Sequence, residues 1–220
     1  MFEHEKLEWQ EIESFQEDGK RFYRTPSGKK YPSMTTVLSM LSAKSIAAWR
    51  KRVGDEVANK VSAQASRRGT LIHKLCEDYV NNVDIDYKKL MPFDRQNFMK
   101  LKTEIDSNIG KVYGQEIPLY SDFLEIAGRV DCIAEYDGKL SIIDYKTSSK
   151  EKKRENIKNY FMQAAGYAVM FEELFNIPIT NLVILMSVDH QDPLTFIEKR
   201  DDHIFDLIKL RKKYKEKNNI

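Results

Sequence analysis

Apolar and polar residues alternate along residues 9–31, and the alternation turns at Asp18-Gly19. A period of two is typical of half-buried β-strands, and an Asp-Gly pair between two such runs favours a tight hairpin turn. We therefore predict an N-terminal hairpin whose strands span residues 9–15 and 21–25. A further turn is expected over residues 26–28, which read Pro-Ser-Gly.

Residues 32–113 show helical spacing instead of alternation. Ser33 is a suitable N-cap for a short helix that ends near Leu41, and a second helix is predicted over residues 45–53, before Gly54.

A long helical stretch follows from Asp55, and we expect Gly69 to interrupt it, with Thr70 capping the next segment. One buried arc at helical spacing lies in that segment: Leu71, Ile72, Leu75, Cys76, Tyr79 and Val80. A further helix, led in by Pro92, is predicted over residues 92–113.

A second hairpin is predicted at Asp137-Gly138. A two-residue loop there pairs Tyr136 with Lys139, and counting back along both strands places Asp131 opposite Asp144. Directly opposed residues share one face of a sheet, with Cβ atoms about 5 Å apart.

The preceding strand, residues 116–121, is expected to turn back over residues 122–125. This loop pairs the end of the strand with Ile126 and places Glu116 opposite Asp131. A single bulge would move the glutamate to the other face, so an ordinary exposed position stays open as an alternative.

Beyond these strands we predict a helix over residues 154–175 and strands over 181–188 and 194–199, followed by a basic helix. The order helix, three antiparallel strands, helix, strand predicts an α/β fold with a mixed sheet. The length suits one domain. Its expected parts are an N-terminal hairpin, a helical region, a sheet core and a basic C-terminal helix: residues 1–31, 32–113, 114–199 and 200–220.

Composition limits the functional classes. The formal net charge is only +2, so any surface that binds nucleic acid must be a local one. Cys76 and Cys132 lie in apolar contexts and are expected to be core residues, so we predict neither a disulfide framework nor an iron–sulfur cluster. No apolar run reaches the length of a membrane span, and the first eighteen residues are too acidic for a signal or transit peptide. We expect a soluble cytoplasmic protein.

Asp131, Asp144 and Lys146 are the main candidates for chemistry. Opposed carboxylates repel each other, and a divalent cation such as Mg²⁺ or Mn²⁺ is the simplest group that would make their arrangement favourable. Such an ion can activate water against a phosphodiester, and Lys146 can offset charge in the transition state. The alternative is a pair of surface acids with Lys146 as their solvated partner.

Four further residues are weaker candidates. His73 lies at the border of the buried arc, where it could face the carboxylates as a metal ligand or be an ordinary packed side chain. Gln163 and Tyr167 share one helical face, and Gln163 needs polar partners among its apolar neighbours. Glu116 could join the carboxylates.

A local substrate-binding surface is suggested by hydroxyl, cationic and aromatic residues between positions 33 and 68. Hydroxyls at a helix start bind phosphate, and an aromatic among cations can stack on an unpaired base. The candidates are Ser33, Thr35, Thr36, Lys44, Trp49, Arg50, Arg52, Arg67 and Arg68. For each of them taken singly, the favoured alternative is a solvated basic face, with Trp49 in the core.

Four short motifs occur in one order: Arg-Gly-Thr-x-x-His at 68–73, Gly-Arg-Val-Asp at 128–131, Asp-Tyr-Lys-Thr at 144–147 and Gln-x-x-x-Tyr at 163–167. This set resembles the RecB-like exonucleases of the PD-(D/E)XK superfamily. Residues 32–38 and 48–54 look more specifically like the mitochondrial genome maintenance exonucleases and their phage relatives.

The resemblance implies a restriction-endonuclease-like core and a magnesium- or manganese-dependent deoxyribonuclease that acts on free ends of single-stranded DNA, in replication, repair or recombination. It implies that His73, Asp131, Asp144 and the Tyr145 carbonyl bind metal and that Lys146 is catalytic. Gln163 and Tyr167 would match the helix motif beside the site. Residues 32–54 would help to thread the strand. Because a mitochondrial-type presequence is not recognised, we expect a bacterial or phage setting rather than an organelle.

Two other functions use the same residues. A structure-specific or restriction-type endonuclease would keep the site, because the shape of the DNA channel decides whether a free end is required. A DNA-binding accessory protein without activity would keep the fold, but it would not need clustered acids.

Overall fold

The computed structural model describes residues 1–218. Two sheets and five α-helices make up the fold. The strands are β1 (Glu13–Glu17), β2 (Lys20–Arg24), β3 (Lys30–Pro32), β4 (Ile109–Ser121), β5 (Ile126–Tyr136), β6 (Lys139–Ser148), β7 (Asn181–Val188) and β8 (Leu194–Lys199). The helices are α1 (Met34–Val53), α2 (Asp55–Val80), α3 (Pro92–Asn108), α4 (Lys158–Phe175) and α5 (Ile204–Asn218). Short 3₁₀ turns occupy Tyr87–Lys89, Arg154–Asn156 and Arg200–Asp202.

The central sheet has the order β4-β5-β6-β7-β8, and only the β6–β7 pair is parallel. A parallel pair needs a crossover connection, which α4 provides. Two apolar clusters cover the sheet: one lies between the sheet and α1, α4 and α5, and the other lies beneath α2 and α3. The α/β fold class, the mixed sheet and the order of elements are confirmed.

The predicted register of the three antiparallel strands is confirmed as far as the strands pair, which for β5 and β6 ends at Cys132 and Ile143, one residue before Asp131 and Asp144. Tyr136 pairs with Lys139 across the turn at Asp137-Gly138, and Ser121 pairs with Ile126. The two-residue turn is possible because both central residues adopt positive φ values, 50° at Asp137 and 70° at Gly138.

The N-terminal hairpin forms around Asp18-Gly19, but its first strand spans Glu13–Glu17 instead of residues 9–15. Glu17 pairs with Lys20, so the loop contains two residues, and pairing extends to the turn. β3 adds a third strand to this small sheet.

The predicted break after Leu41 is wrong, because α1 is continuous from Met34 to Val53. Ser42 and Ser45 each donate a hydrogen bond to the carbonyl three residues earlier, so they satisfy their hydroxyls within the helix and do not cap a new one. Gly69 does not interrupt α2 either. The real boundary is Gly54, whose φ of +84° ends α1.

The predicted helix over 92–113 is too long. α3 ends at Asn108, and residues 109–113 already belong to β4. Ile109 pairs with Tyr136 of β5, and on the other side the backbone of Val112 exchanges hydrogen bonds of 2.7 and 2.8 Å with Glu5 and Glu3. Pairing on both sides favours the extended conformation over continuation of the helix.

The helix that was predicted over 154–175 begins later, since α4 starts at Lys158 after a 3₁₀ turn. The predicted bounds of β7 and β8 are confirmed. Cys76 and Cys132 are buried and free. Among the helices of residues 1–218, none has an apolar stretch sufficient to cross a membrane. The single domain over 1–220 stays a prediction, and residues 219–220 lie outside the described part.

Candidate active site

Three side chains that can ligate a metal converge where α2 packs against β4 and β5. His73 comes from α2, Glu116 from β4 and Asp131 from β5, and one ligand atom from each lies within 4.8 Å of the others. The imidazole Nδ1 of His73 is 3.4 Å from Oδ2 of Asp131. Two carboxylates and an imidazole therefore meet at one point.

The strand register brings the two acids together. Ile117 pairs with Val130 and Gln115 with Cys132, which leaves Glu116 and Asp131 at facing positions between these pairs. Glu116 has a φ of +51°, and its carbonyl accepts a hydrogen bond from the Arg129 guanidinium. The structure thus places Glu116 beside Asp131, as the inward alternative predicted.

Burial and neighbouring charges shift the pKa values of the two carboxyl groups in this cluster in opposite directions. Burial, reinforced by the neighbouring Asp131 carboxylate, raises the pKa of Glu116 to about 7. Burial also acts to raise the pKa of Asp131, but hydrogen bonding and charge interaction with His73 outweigh it, so that this pKa is lowered. Burial disfavours the charged imidazole, yet the bond to Asp131 raises the pKa of His73.

Asp144 and Lys146 form a buried ion pair next to the cluster. Asp144 is 1 % exposed, and apart from this pair neither of its carboxylate oxygens has a hydrogen-bond partner within residues 1–218. Burial raises the pKa of Asp144 to about 6, although Lys146 opposes the shift. For Lys146, burial acts to lower the pKa, but the two aspartates prevail and raise it.

The backbone joins this pair to the cluster. The N–H of Tyr145 donates a 2.9 Å hydrogen bond to Oδ2 of Asp131, so β5 and β6 stay in contact beyond their last paired residues, Cys132 and Ile143. Asp144 does not belong to the close set of three ligand atoms, because its carboxylate is turned to Lys146.

This donor set fits a divalent metal. Glu116 and Asp131 are like charges held close together, and Asp144 is an acid with unsatisfied oxygens in an apolar setting. A bound cation would offset the repulsion between Glu116 and Asp131, and it would supply the ligand contacts that Asp144 lacks beyond its pair with Lys146. Carboxylate oxygens are the ligands that Mg²⁺ and Mn²⁺ prefer.

The cluster opens into a cleft of about 810 Å³. Gln163 and Tyr167 of α4 line this cleft together with Lys146, whose ammonium group lies 5.2 Å from the ring centre of Tyr160. Gly128 leaves room for Tyr167: a Cβ at this position would lie 2.8 Å from the tyrosine hydroxyl.

Comparison with known proteins agrees with this geometry. Residues 87–186 match the family model described as the PD-(D/E)XK nuclease superfamily. The matched segment contains Glu116, Asp131, Asp144 and Lys146 of the site, whereas His73 lies before it. Nucleases of this superfamily use divalent metals, which is consistent with the acidic cluster.

Two curated relatives carry the same name, mitochondrial genome maintenance exonuclease 1. The protein from Xenopus tropicalis is 27% identical over 174 residues, which are 74% of this chain and 50% of that protein. The protein from Homo sapiens is 25% identical over 129 residues, 55% of this chain and 38% of that protein. The chain thus aligns with half or less of each relative.

Among solved structures, the chain is similar to a candidate exonuclease from Eubacterium rectale. The TM-score is 0.40 at 8% sequence identity, over 66% of this chain and 68% of that one. A score this low does not assign the fold, which rests on the sheet order described above.

The predicted substrate-binding residues fall into different places. Ser33 and Thr35 line the cleft. Ser33 caps α1 by accepting a 3.0 Å hydrogen bond from the N–H of Thr36, whose hydroxyl in turn bonds to the backbone of Arg21. Thr36 is thereby committed to joining α1 to the hairpin.

Within the described residues 1–218, neither the predicted cations nor Trp49 line the cleft. Arg50 is held by Asp55 at 2.7 Å, and Arg68 forms an ion pair with Asp189. Trp49 is half-buried. The three other cations are exposed: Lys44, Arg52 and Arg67.

The sequence reasoning missed the residues that the hairpin contributes to the cleft. Ser14, Gln16, Arg21 and Tyr23 line it, and their alternation along β1 and β2 places them on one face. That alternation was visible in the sequence, but nothing in it indicated which face would turn to the site. Arg129 belongs to the quoted Gly-Arg-Val-Asp motif and was given no role.

Proposed function

We propose that this chain is a divalent-metal-dependent DNA exonuclease that hydrolyses phosphodiester bonds from free ends of single-stranded DNA, in replication, repair or recombination. The observation that carries the proposal is the meeting of His73, Glu116 and Asp131 beside the buried pair of Asp144 and Lys146, within an open cleft. The match to the nuclease superfamily supports hydrolysis, and the names of both relatives support an exonuclease.

In this proposal His73, Asp131, Asp144 and the carbonyl of Tyr145 hold Mg²⁺ or Mn²⁺, with Glu116 completing the acidic group. The ion would polarise the phosphate and lower the pKa of a bound water. Asp144 would have to exchange part of its contact with Lys146 for the ion, which its unsatisfied oxygens favour.

Lys146 is the proposed catalytic lysine. Its raised pKa keeps it protonated at neutral pH, so its role is to donate hydrogen bonds and offset negative charge on the phosphate rather than to remove a proton. Gln163 and Tyr167 are proposed to orient the phosphate or the lysine from α4, because both line the cleft beside it.

For the DNA strand we propose contacts from Ser33 and Thr35 at the start of α1, where hydroxyls and free N–H groups suit a phosphate. Thr36 would support these contacts by holding the start of α1 against Arg21. The outer residues would contact the strand farther along α1 and α2: Lys44, Trp49, Arg50, Arg52, Arg67 and Arg68. The free cysteines are compatible with the proposed cytoplasmic setting, in a bacterial or phage-infected cell.

The need for a free end can be tested with two substrates of one sequence, a linear single strand and the same strand closed into a circle. We expect the linear strand to be degraded in Mg²⁺ or Mn²⁺ and the circle to persist, because an exonuclease requires an end. Labels at the 5′ and 3′ ends of the linear strand report the polarity of digestion.

Circles that disappear as fast as linear strands would contradict the exonuclease proposal and favour an endonuclease with the same site. DNA binding without any cleavage, with either metal, would contradict both enzymes and favour the accessory role. Digestion that continues in excess EDTA would exclude the metal.

A further inference from the structure

The N-terminal hairpin places an arginine at the edge of the acidic cluster. Arg21 lines the main cleft, and it also lines a second opening of about 490 Å³. The two openings share three residues, Arg21, His73 and Glu116. Arg21 therefore borders both openings, as do His73 and Glu116 of the acidic cluster.

The backbone of this arginine is fixed. Its carbonyl accepts hydrogen bonds from the N–H of Ser33 at 2.8 Å and from the Thr36 hydroxyl at 3.1 Å. Its own N–H donates to the same hydroxyl at 3.2 Å. These bonds join β2 to the start of α1, so the position from which the side chain extends is well defined.

The side chain, in contrast, is uncommitted. Within residues 1–218 the Arg21 guanidinium has neither an ion pair nor a hydrogen bond, although Glu77 and Glu116 line the same opening. The other arginine that lines the cleft, Arg129, is engaged by Glu11 at 2.7 Å and by the carbonyl of Glu116. Arg21 is thus the one arginine of the described cleft whose donors are available to a ligand.

We propose that Arg21 forms a phosphate-binding subsite of the active site and holds the backbone phosphate adjacent to the scissile bond. A guanidinium offers a planar pair of donors that matches two phosphate oxygens, and it stays charged at any working pH. In this proposal the bound strand passes Arg21 on its way between the two openings. This inference rests on the proposed nuclease function.

The chain provides a matched control in Arg24. This arginine is on the same strand and also exposed, but it lies on the opposite face, where it pairs with Glu13 at 3.5 Å. Arg21→Gln removes the charge and keeps much of the stem, Arg21→Lys keeps the charge without the planar pair, and Arg24→Gln removes an equal charge from the same hairpin.

The first measurement is kcat/KM on an end-labelled single strand in Mg²⁺. We expect Arg21→Gln to lose about tenfold or more, because a hydrogen bond to a charged group of 1.5 kcal/mol or above corresponds to that factor. Arg21→Lys should recover part of the loss, and Arg24→Gln should stay within about twofold of the unmodified protein.

The second measurement locates the contact. A strand that carries one neutral methylphosphonate next to the scissile bond should be a poor substrate for the unmodified protein, and Arg21→Gln should show little further loss on it. In addition, the slope of log affinity against log salt, measured with chelator present, should become shallower by about 0.7 for Arg21→Gln, the value for one phosphate contact on a single strand.

Equal effects of Arg21→Gln and Arg24→Gln in an active protein would overturn the subsite and leave the nuclease proposal intact. So would a methylphosphonate penalty that persists in full in Arg21→Gln. An unmodified protein that cleaves no strand would instead contradict the nuclease proposal itself. Thermal unfolding of each variant, expected to match that of the unmodified protein, shows that the fold is retained.

Discussion

The two walls of the cleft are built differently. The sheet wall carries Asp131 and Lys146, whose side chains are 11 % and 17 % exposed, in positions fixed by strand register. The opposite wall, formed by the hairpin and the start of α1, presents exposed polar side chains such as Gln16 and Arg21. Electrostatic interactions are strong where water is excluded and weak where it is not. The proposal accordingly assigns chemistry to the sheet wall and strand binding to the hairpin wall.

The largest effect should come from the sheet wall. Lys146→Ala is expected to lower kcat by more than about 100-fold, because a charged donor aimed at developing charge is removed from a buried site. Binding of single-stranded DNA should change little. The measurements are single-turnover cleavage and fluorescence anisotropy.

Lys139→Ala is the matched control, because this lysine begins the same strand but is exposed and far from the cluster in the register. It should leave cleavage unchanged. An active Lys146→Ala protein would remove the lysine from the mechanism and, with it, the distinction between the two walls.

A second effect concerns metal and pH. The pKa of Glu116 is raised from its ordinary 4.5 to about 7, so the folded protein without metal retains a proton that the unfolded chain has lost. Its stability should therefore fall as pH rises from about 4.5 to 7. A cation that displaces this proton should raise the melting temperature more at pH 8 than at pH 6.

Glu116→Gln should reduce the pH dependence of the melting temperature. Part of the stabilisation by metal should remain, since His73 and Asp131 are still present. At an ion concentration of about 100 times Kd, the stabilisation is about 2.7 kcal/mol, which differential scanning fluorimetry can resolve. A shift that is the same at both pH values would exclude Glu116 from the ion's ligands.

The smallest effect tests the packing behind the site. Gly128→Ala would place a Cβ 2.8 Å from the Tyr167 hydroxyl, so the ring must move. We expect a loss of about 1–3 kcal/mol in the free energy of unfolding, as overpacking typically gives, together with weaker cleavage.

Gly69→Ala is the counterpart on α2. Its Cβ would meet its nearest neighbour, the Thr147 hydroxyl, at an ordinary 3.8 Å, and alanine suits a helix interior better than glycine. Stability should therefore rise by about 0.5–1 kcal/mol. If Gly128→Ala were equally harmless in a urea titration, tight packing of Tyr167 would not contribute to the site.

The same two walls show what sequence reasoning can reach. Hairpin loops at Asp137-Gly138 and over 122–125 set the register, and two-residue periodicity then carries it back to Asp131 and Glu116. Predicting the positions of these two acids needs only the local turns and a count of residues along each strand. The orientation of the Asp144 carboxylate toward Lys146 depends on side-chain packing, so counting residues along the strand could not predict it.

The hairpin wall could not be predicted in this way. Its strands were recognised, but the docking of the hairpin depends on hydrogen bonds between Arg21 and the start of α1, two elements whose contact no periodicity encodes. The continuity of α1 and the early start of β4 were missed for a similar reason. Serine hydroxyls that bond within a helix, and pairing with residues far away in sequence, overrode the local signals.

The backbone bonds between Val112 and residues 3 and 5 have a consequence for the molecule as a whole. β4 is the outermost strand on its side of the large sheet, and a bare outer strand invites pairing with another polypeptide. By pairing with β4 near its start, residues 3 and 5 protect this part of the border against self-association.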